Sequence, residues 1–158
     1  MAVFDNETQK KLAQMQSKII EQVGNGTQTM DIPFHLTLGS YPTEKQDELV
    51  SRIKEIASST TSFEVSLIRY STFSDKVLFL EPTVPQELLR LRESFECDYA
   101  NGYDWVPHAT LFCGEAVEIQ KAKGLLPQIS EPMSARIVGI ELGEFFPPKK
   151  IIRKDFQR

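Results

Sequence analysis

The apolar positions near the start of the chain change period twice. Ala2-Val3-Phe4 is a short unbroken apolar run that predicts a strand, and Asp5-Asn6 supplies capping side chains for a helix after it. From Glu7 to Val23 the residues Leu12, Met15, Ile19 and Val23 recur at helical spacing, and Gly24-Asn25-Gly26 ends that helix. Ile32, Phe34, Leu36 and Leu38 then alternate with Pro33, His35, Thr37 and Gly39, the period of a strand. Pro33, lacking an N–H, fits its first residue or an edge. Thr43 opens a helical segment carrying Leu49, Ile53, Ile56 and Ala57, and Phe63 to Phe73 and Val77 to Leu80 read as two strands of a hairpin around Ser74-Asp75. The first strand is very short and begins only at Ala2, so it is expected at a trimmed outer edge of the first half.

The order then returns. Pro85 to Phe95 reads as a helix, Trp105 to Cys113 as a strand, and Val117 to Leu126 as a helix. Ser134 to Phe145 and Lys150 to Phe156 come next as strands on either side of Pro147-Pro148. A shift of 73 residues carries His35 onto His108, Phe63–Tyr70 onto Arg136–Gly143 and Val77–Leu80 onto Lys150–Arg153. One α+β domain over residues 1–158, built from two structural repeats of about 1–73 and 74–158, is expected.

Composition narrows the chemistry. With 158 residues, 41% of them hydrophobic, the chain buries a core without disulfide or metal. Eighteen basic against 22 acidic side chains leave a net charge of -4 and a pI near 5.3, which disfavours long duplex nucleic acid but permits a small phosphate compound. Cys97 and Cys113 are too few for a disulfide framework, and no apolar run nears the roughly 20 residues that cross a bilayer. A cytoplasmic monomer with no membrane partner is the expectation.

The chain's only two histidines stand in matching phrases, Pro33-Phe34-His35-Leu36-Thr37-Leu38 and Pro107-His108-Ala109-Thr110-Leu111-Phe112. On a strand, residues two apart project to one face, so each phrase presents an imidazole beside a hydroxyl. Histidine titrates near neutrality, and a pair supplies both a base and an acid for in-line displacement at phosphorus, while threonine hydroxyls donate to the non-bridging oxygens. A single strand histidine is more often a structural or surface residue; two with threonine at the same offset in a repeated unit point to chemistry. Metal binding fits poorly: a third and fourth ligand are missing, and Cys113 falls on the face opposite His108. No cofactor is expected.

These paired motifs resemble those of the two-histidine phosphoesterase superfamily, which includes the 2'-5' RNA ligases and cyclic phosphodiesterases. The resemblance implies a duplicated bilobal fold, with two pseudo-symmetric lobes whose antiparallel sheets form a central cleft and whose helices lie outside. It implies His35 and His108 as acid and base, Thr37 and Thr110 as phosphate clamps, and a small nucleotide or RNA end as substrate. Hydrolysis of a 2',3'-cyclic phosphate is the expected reaction; 2'-5' RNA ligation and a non-catalytic nucleotide- or RNA-end-binding module are the alternatives. Among further residues, Arg69 is the best additional anion contact and Tyr41 a substrate-binding candidate. Tyr103, Trp105 and Phe146 are more simply packing residues, with Trp105 placed by strict alternation on the face away from His108.

Overall fold

The computed structural model describes residues 1–27, 32–95, 104–129, 131–145 and 147–158. Strand β1 (Ala2–Phe4) leads through Asp5, whose carboxylate accepts the Thr8 N–H at 2.8 Å, into helix α1 (Asn6–Val23). Gly24 stops this helix with φ of 111°, as the glycine cluster predicts. Next come β2 (His35–Leu36), a short 3₁₀ turn (Thr43–Lys45), α2 (Gln46–Ser59), β3 (Phe63–Phe73) and β4 (Val77–Pro82). The second half contains α3 (Gln86–Glu93), β5 (Ala109–Cys113), α4 (Ala116–Ile129), β6 (Met133–Glu144) and β7 (Lys149–Asp155). Ser74 and Asp75, at φ of 48° and 50°, form the two-residue turn between β3 and β4, closed by the Lys76 N–H on the Phe73 carbonyl.

The described strands form one antiparallel sheet in the order β2-β1-β6-β3-β4-β5, with β7 paired to β6 beyond the start of β3. The order is symmetric about the β6–β3 pair. Each motif strand is therefore an outer edge, and the first strand, expected at an edge, lies inside between β2 and β6. Register shifts at Val3/Phe4, Leu67/Arg69, Leu78/Phe79 and Leu142/Gly143 bend the sheet, so that the edges β2 and β5 come into contact although they end opposite sides of the order.

One face of the curled sheet carries the core. Phe63, Val65 and Leu67 pair with Ile137, Ala135 and Met133, and beneath them pack Leu12, Ile19, Ile53, Leu88, Ile119 and Leu126 from the helices. Across from one another in register, Val3 and His35 share the other face, as do Phe79 and Thr110. The bulge at Ile68 moves Arg69, Ser71 and Phe73 onto that second face, opposite Glu81, Phe79 and Val77.

Two expected strands are shorter than their alternation. The segment Ile32–Gly39 pairs only at His35–Leu36, and Trp105–Cys113 only from Ala109. Alternation records which side each residue faces, while ladder pairing requires a neighbour, which an edge strand has on one side only. Cys97, Tyr103 and Phe146 lie outside the described residues.

Gly139 sits where β7 crosses closest: a Cβ there would stand 2.6 Å from the Lys154 carbonyl oxygen. Gly139→Ala is expected to cost about 1–3 kcal/mol in chemical denaturation, and a midpoint equal to that of the parent chain would refute this account of the β6–β7 pairing.

Candidate active site

Both histidines are held by the same local device. His35 Nδ1 lies 2.7 Å from the Pro33 carbonyl and His108 Nδ1 2.8 Å from the Val106 carbonyl, in each case two residues earlier. A carbonyl only accepts, so both Nδ1 atoms donate and each Nε2 is left for proton transfer. The His108 ring is also seated on aromatic neighbours: Phe73 meets it edge-on at 4.9 Å, and Phe79, stacked on Phe73 at 4.2 Å, lies 5.3 Å away.

Helix α1 spans the backs of both motif edges. Gln9 donates to the Phe34 carbonyl at 2.7 Å and accepts the Phe34 N–H at 2.9 Å, while Gln16, two turns on, donates to the Leu111 carbonyl at 2.8 Å. These side-chain amides take the place of a neighbouring strand beside His35 and Thr110. From the other direction, the Trp105 indole N–H donates to the Thr37 carbonyl at 2.9 Å, and the Arg92 guanidinium lies 5.7 Å from the centre of the indole. Trp105 packs against the hydrophobic core, precedes the paired part of β5 and reaches across to the first motif.

His35 and Thr37 open onto a cavity of about 580 Å³, lined also by Tyr41, Leu49, Glu141, Phe145 and Lys149. The Tyr41 hydroxyl donates to the Phe95 carbonyl, so this residue is a fixed wall of the cavity. Burial pushes the His35 pKa down to about 4, and positive charge at the amino terminus and on His108 adds to the effect, against the Pro33 hydrogen bond. His35 and His108 are thus close enough to feel each other's charge. Thr110 occupies β5 opposite Phe79, two positions beyond His108. Arg69 is not in the cavity wall: its guanidinium is ion-paired with Glu81 on the neighbouring strand. Burial raises the Cys113 pKa, keeping it a protonated thiol. Among the described residues no group of three or more His, Cys, Asp or Glu side chains is arranged to hold a metal, and no helix is long and apolar enough to cross a membrane.

The model for the 2'-5' RNA ligase superfamily matches residues 41–144, which include His108 and Thr110. The chain belongs to the 2'-5' RNA ligase superfamily. The model for LigT-like phosphoesterases matches residues 3–77, which include His35 and Thr37, so the two matches together take in both motifs of this superfamily member. Among solved structures, the crystal structure of TT0787 of Thermus thermophilus superposes with a TM-score of 0.62 over 99% of this chain and 96% of that one, at 16% identity, a likeness of fold. A search of curated proteins finds no match.

The 2H phosphoesterase superfamily and its α+β fold are those the paired motifs indicated. Sequence reasoning missed Gln9, Gln16, Glu141 and the long-range bond of Trp105 to Thr37. A signal for the glutamines existed: they stand seven apart, bordering the Leu12-Met15-Ile19 stripe. Nothing local marks Glu141 or Trp105, whose neighbours come from distant segments.

The lowered pKa of His35 has a stability consequence. The unfolded chain takes up the proton near pH 6.5 and the folded chain only near pH 4, so the folded state is progressively disfavoured as pH falls through that window, by roughly 3 kcal/mol at its lower end. His35→Asn keeps a donor for Pro33 but does not titrate. Between pH 7 and 4 its stability in urea melts is expected to fall less than that of the parent; parallel losses would refute the assignment.

Proposed function

We propose that this superfamily member opens a 2',3'-cyclic phosphate, at a nucleotide or RNA end, to the monoester. The observation that carries the reading is the matched tethering of two imidazoles on the facing edges of one sheet, each with Nε2 left for proton transfer and a threonine two positions on. His35 acts as base, consistent with a pKa that keeps it neutral above about pH 4. Its Nε2 takes a proton as water attacks phosphorus; the bond to one ribose oxygen breaks in line, and His108 Nε2 protonates that oxygen. Thr37 and Thr110 donate to the non-bridging oxygens, where charge concentrates. The imidazoles carry both proton transfers, so no step is assigned to a metal.

Cyclic-nucleotide hydrolysis in EDTA tests this directly. His35→Ala and His108→Ala are each expected to lower kcat by about 10²–10⁴-fold, and Thr37→Val or Thr110→Val by about 10²-fold. The kcat/KM profile is expected to be bell-shaped with its acidic limb near pH 4, because protonation of His35 removes the base. Full activity in both histidine variants would refute the reading, and binding without turnover by the parent would leave a nucleotide- or RNA-end-binding module.

One observation favours 2'-5' RNA ligation as a second reading. The cavity adjoins His35, the residue assigned as base, and its volume of about 580 Å³ far exceeds the roughly 30 Å³ share of one water. A 5'-hydroxyl nucleotide fits there in place of water. Incubation of RNA halves ending in a cyclic phosphate and a 5'-hydroxyl is then expected to yield a 2'-5' joined product; hydrolysis alone would exclude this reading.

A further inference from the structure

We propose that Trp105 is a positioning residue whose indole N–H, bonded to the Thr37 carbonyl, sets the separation of the two histidine motifs. The inference rests on the acid–base reading of His35 and His108. The β1–β2 ladder ends at the Ala2–Leu36 pair, so Thr37 lies just beyond the backbone pairing that fixes His35. What holds the Thr37 carbonyl is Trp105, 68 residues away in sequence, at 2.9 Å.

The other end of the connection is as short. Trp105 adjoins Val106, whose carbonyl anchors His108 Nδ1 at 2.8 Å. A rigid path thus runs from the clamp residue of the first motif, through one indole and one peptide unit, to the carbonyl that orients the second imidazole. Arg92 of α3 steadies the indole from its face, and the Tyr41 hydroxyl, bonded to the Phe95 carbonyl just past α3, ties down the chain four residues beyond Thr37. A half-buried indole N–H needs an acceptor in any role, but here the acceptor is the carbonyl of the opposite motif, and an in-line displacement needs both imidazoles at a set distance.

Trp105→Phe keeps an aromatic ring over Arg92 and removes only the donor and part of the ring system. The chain has one tryptophan and two histidines, so the indole N–H and both imidazoles are individually observable by NMR. In the parent chain the indole N–H is expected to exchange slowly with solvent. In Trp105→Phe, kcat is expected to fall roughly 10- to 100-fold at nearly unchanged KM, and His35, which faces His108 and the amino terminus and shares its cavity with Glu141, Glu144 and Lys149, is expected to titrate closer to the ordinary histidine value. The histidine titrations need no turnover, so they decide the proposal even if cyclic phosphates prove not to be substrates. A freely exchanging indole N–H in the parent, or a folded Trp105→Phe chain with parental His35 titration, overturns it; a loss of thermal stability with both histidines titrating as before marks Trp105 as packing only. Should Trp105→Phe not fold, the exchange measurement on the parent chain still decides.

Discussion

The arrangement depends on how a curled sheet brings its two edges together without joining them. Strands β2 and β5 meet at the open side of the curl, and each offers unpaired backbone groups. Backbone pairing between them would close the sheet into a barrel and leave no cleft. Side chains satisfy those groups instead: Gln9 takes both the N–H and the carbonyl of Phe34, Gln16 the carbonyl of Leu111, and Trp105 the carbonyl of Thr37. Each such bond contributes about 1 kcal/mol, but together they hold the edges near each other while keeping them apart.

The electrostatics come from that spacing. Two imidazoles facing across a partly buried gap repel when both are charged, and burial penalises the charge on His35 more directly still. The two motifs are alike in local tethering but unlike in surroundings: His108 rests on Phe73 and Phe79, whereas His35 adjoins the cavity and the amino terminus. A pseudo-symmetric scaffold thereby holds an asymmetric pair, as the proposed division into one base and one acid requires.

Legibility in the sequence tracked the range of the interactions. The helix of Asn6–Val23, with its Asp5 cap and Gly24 stop, and the hairpin turn at Ser74-Asp75 rest on neighbours within a few residues, and each is readable from period and turn chemistry. The motif strands are less so. Their alternation is real, but β2 pairs over only two residues because Phe34 is held by a glutamine amide rather than by a strand. The first strand, expected at an edge, is internal, since β6 arrives from 130 residues downstream to cover it. Arg69, a reasonable anion contact by composition, is paired with Glu81 through a strand register that a bulge sets.

By itself the sequence determined the α+β class, the paired His-x-Thr motifs and the superfamily, because periodicity, caps and motif spacing are properties of short stretches read in order. The tertiary structure alone decided that the motifs sit on opposite edges of one sheet, that His35 lines a cavity of about 580 Å³, and that Gln9, Gln16 and Trp105 hold the edges in place. Those facts depend on the direction and amount of curl, which accumulate from bulges and contacts among residues far apart in sequence, where no local pattern records them.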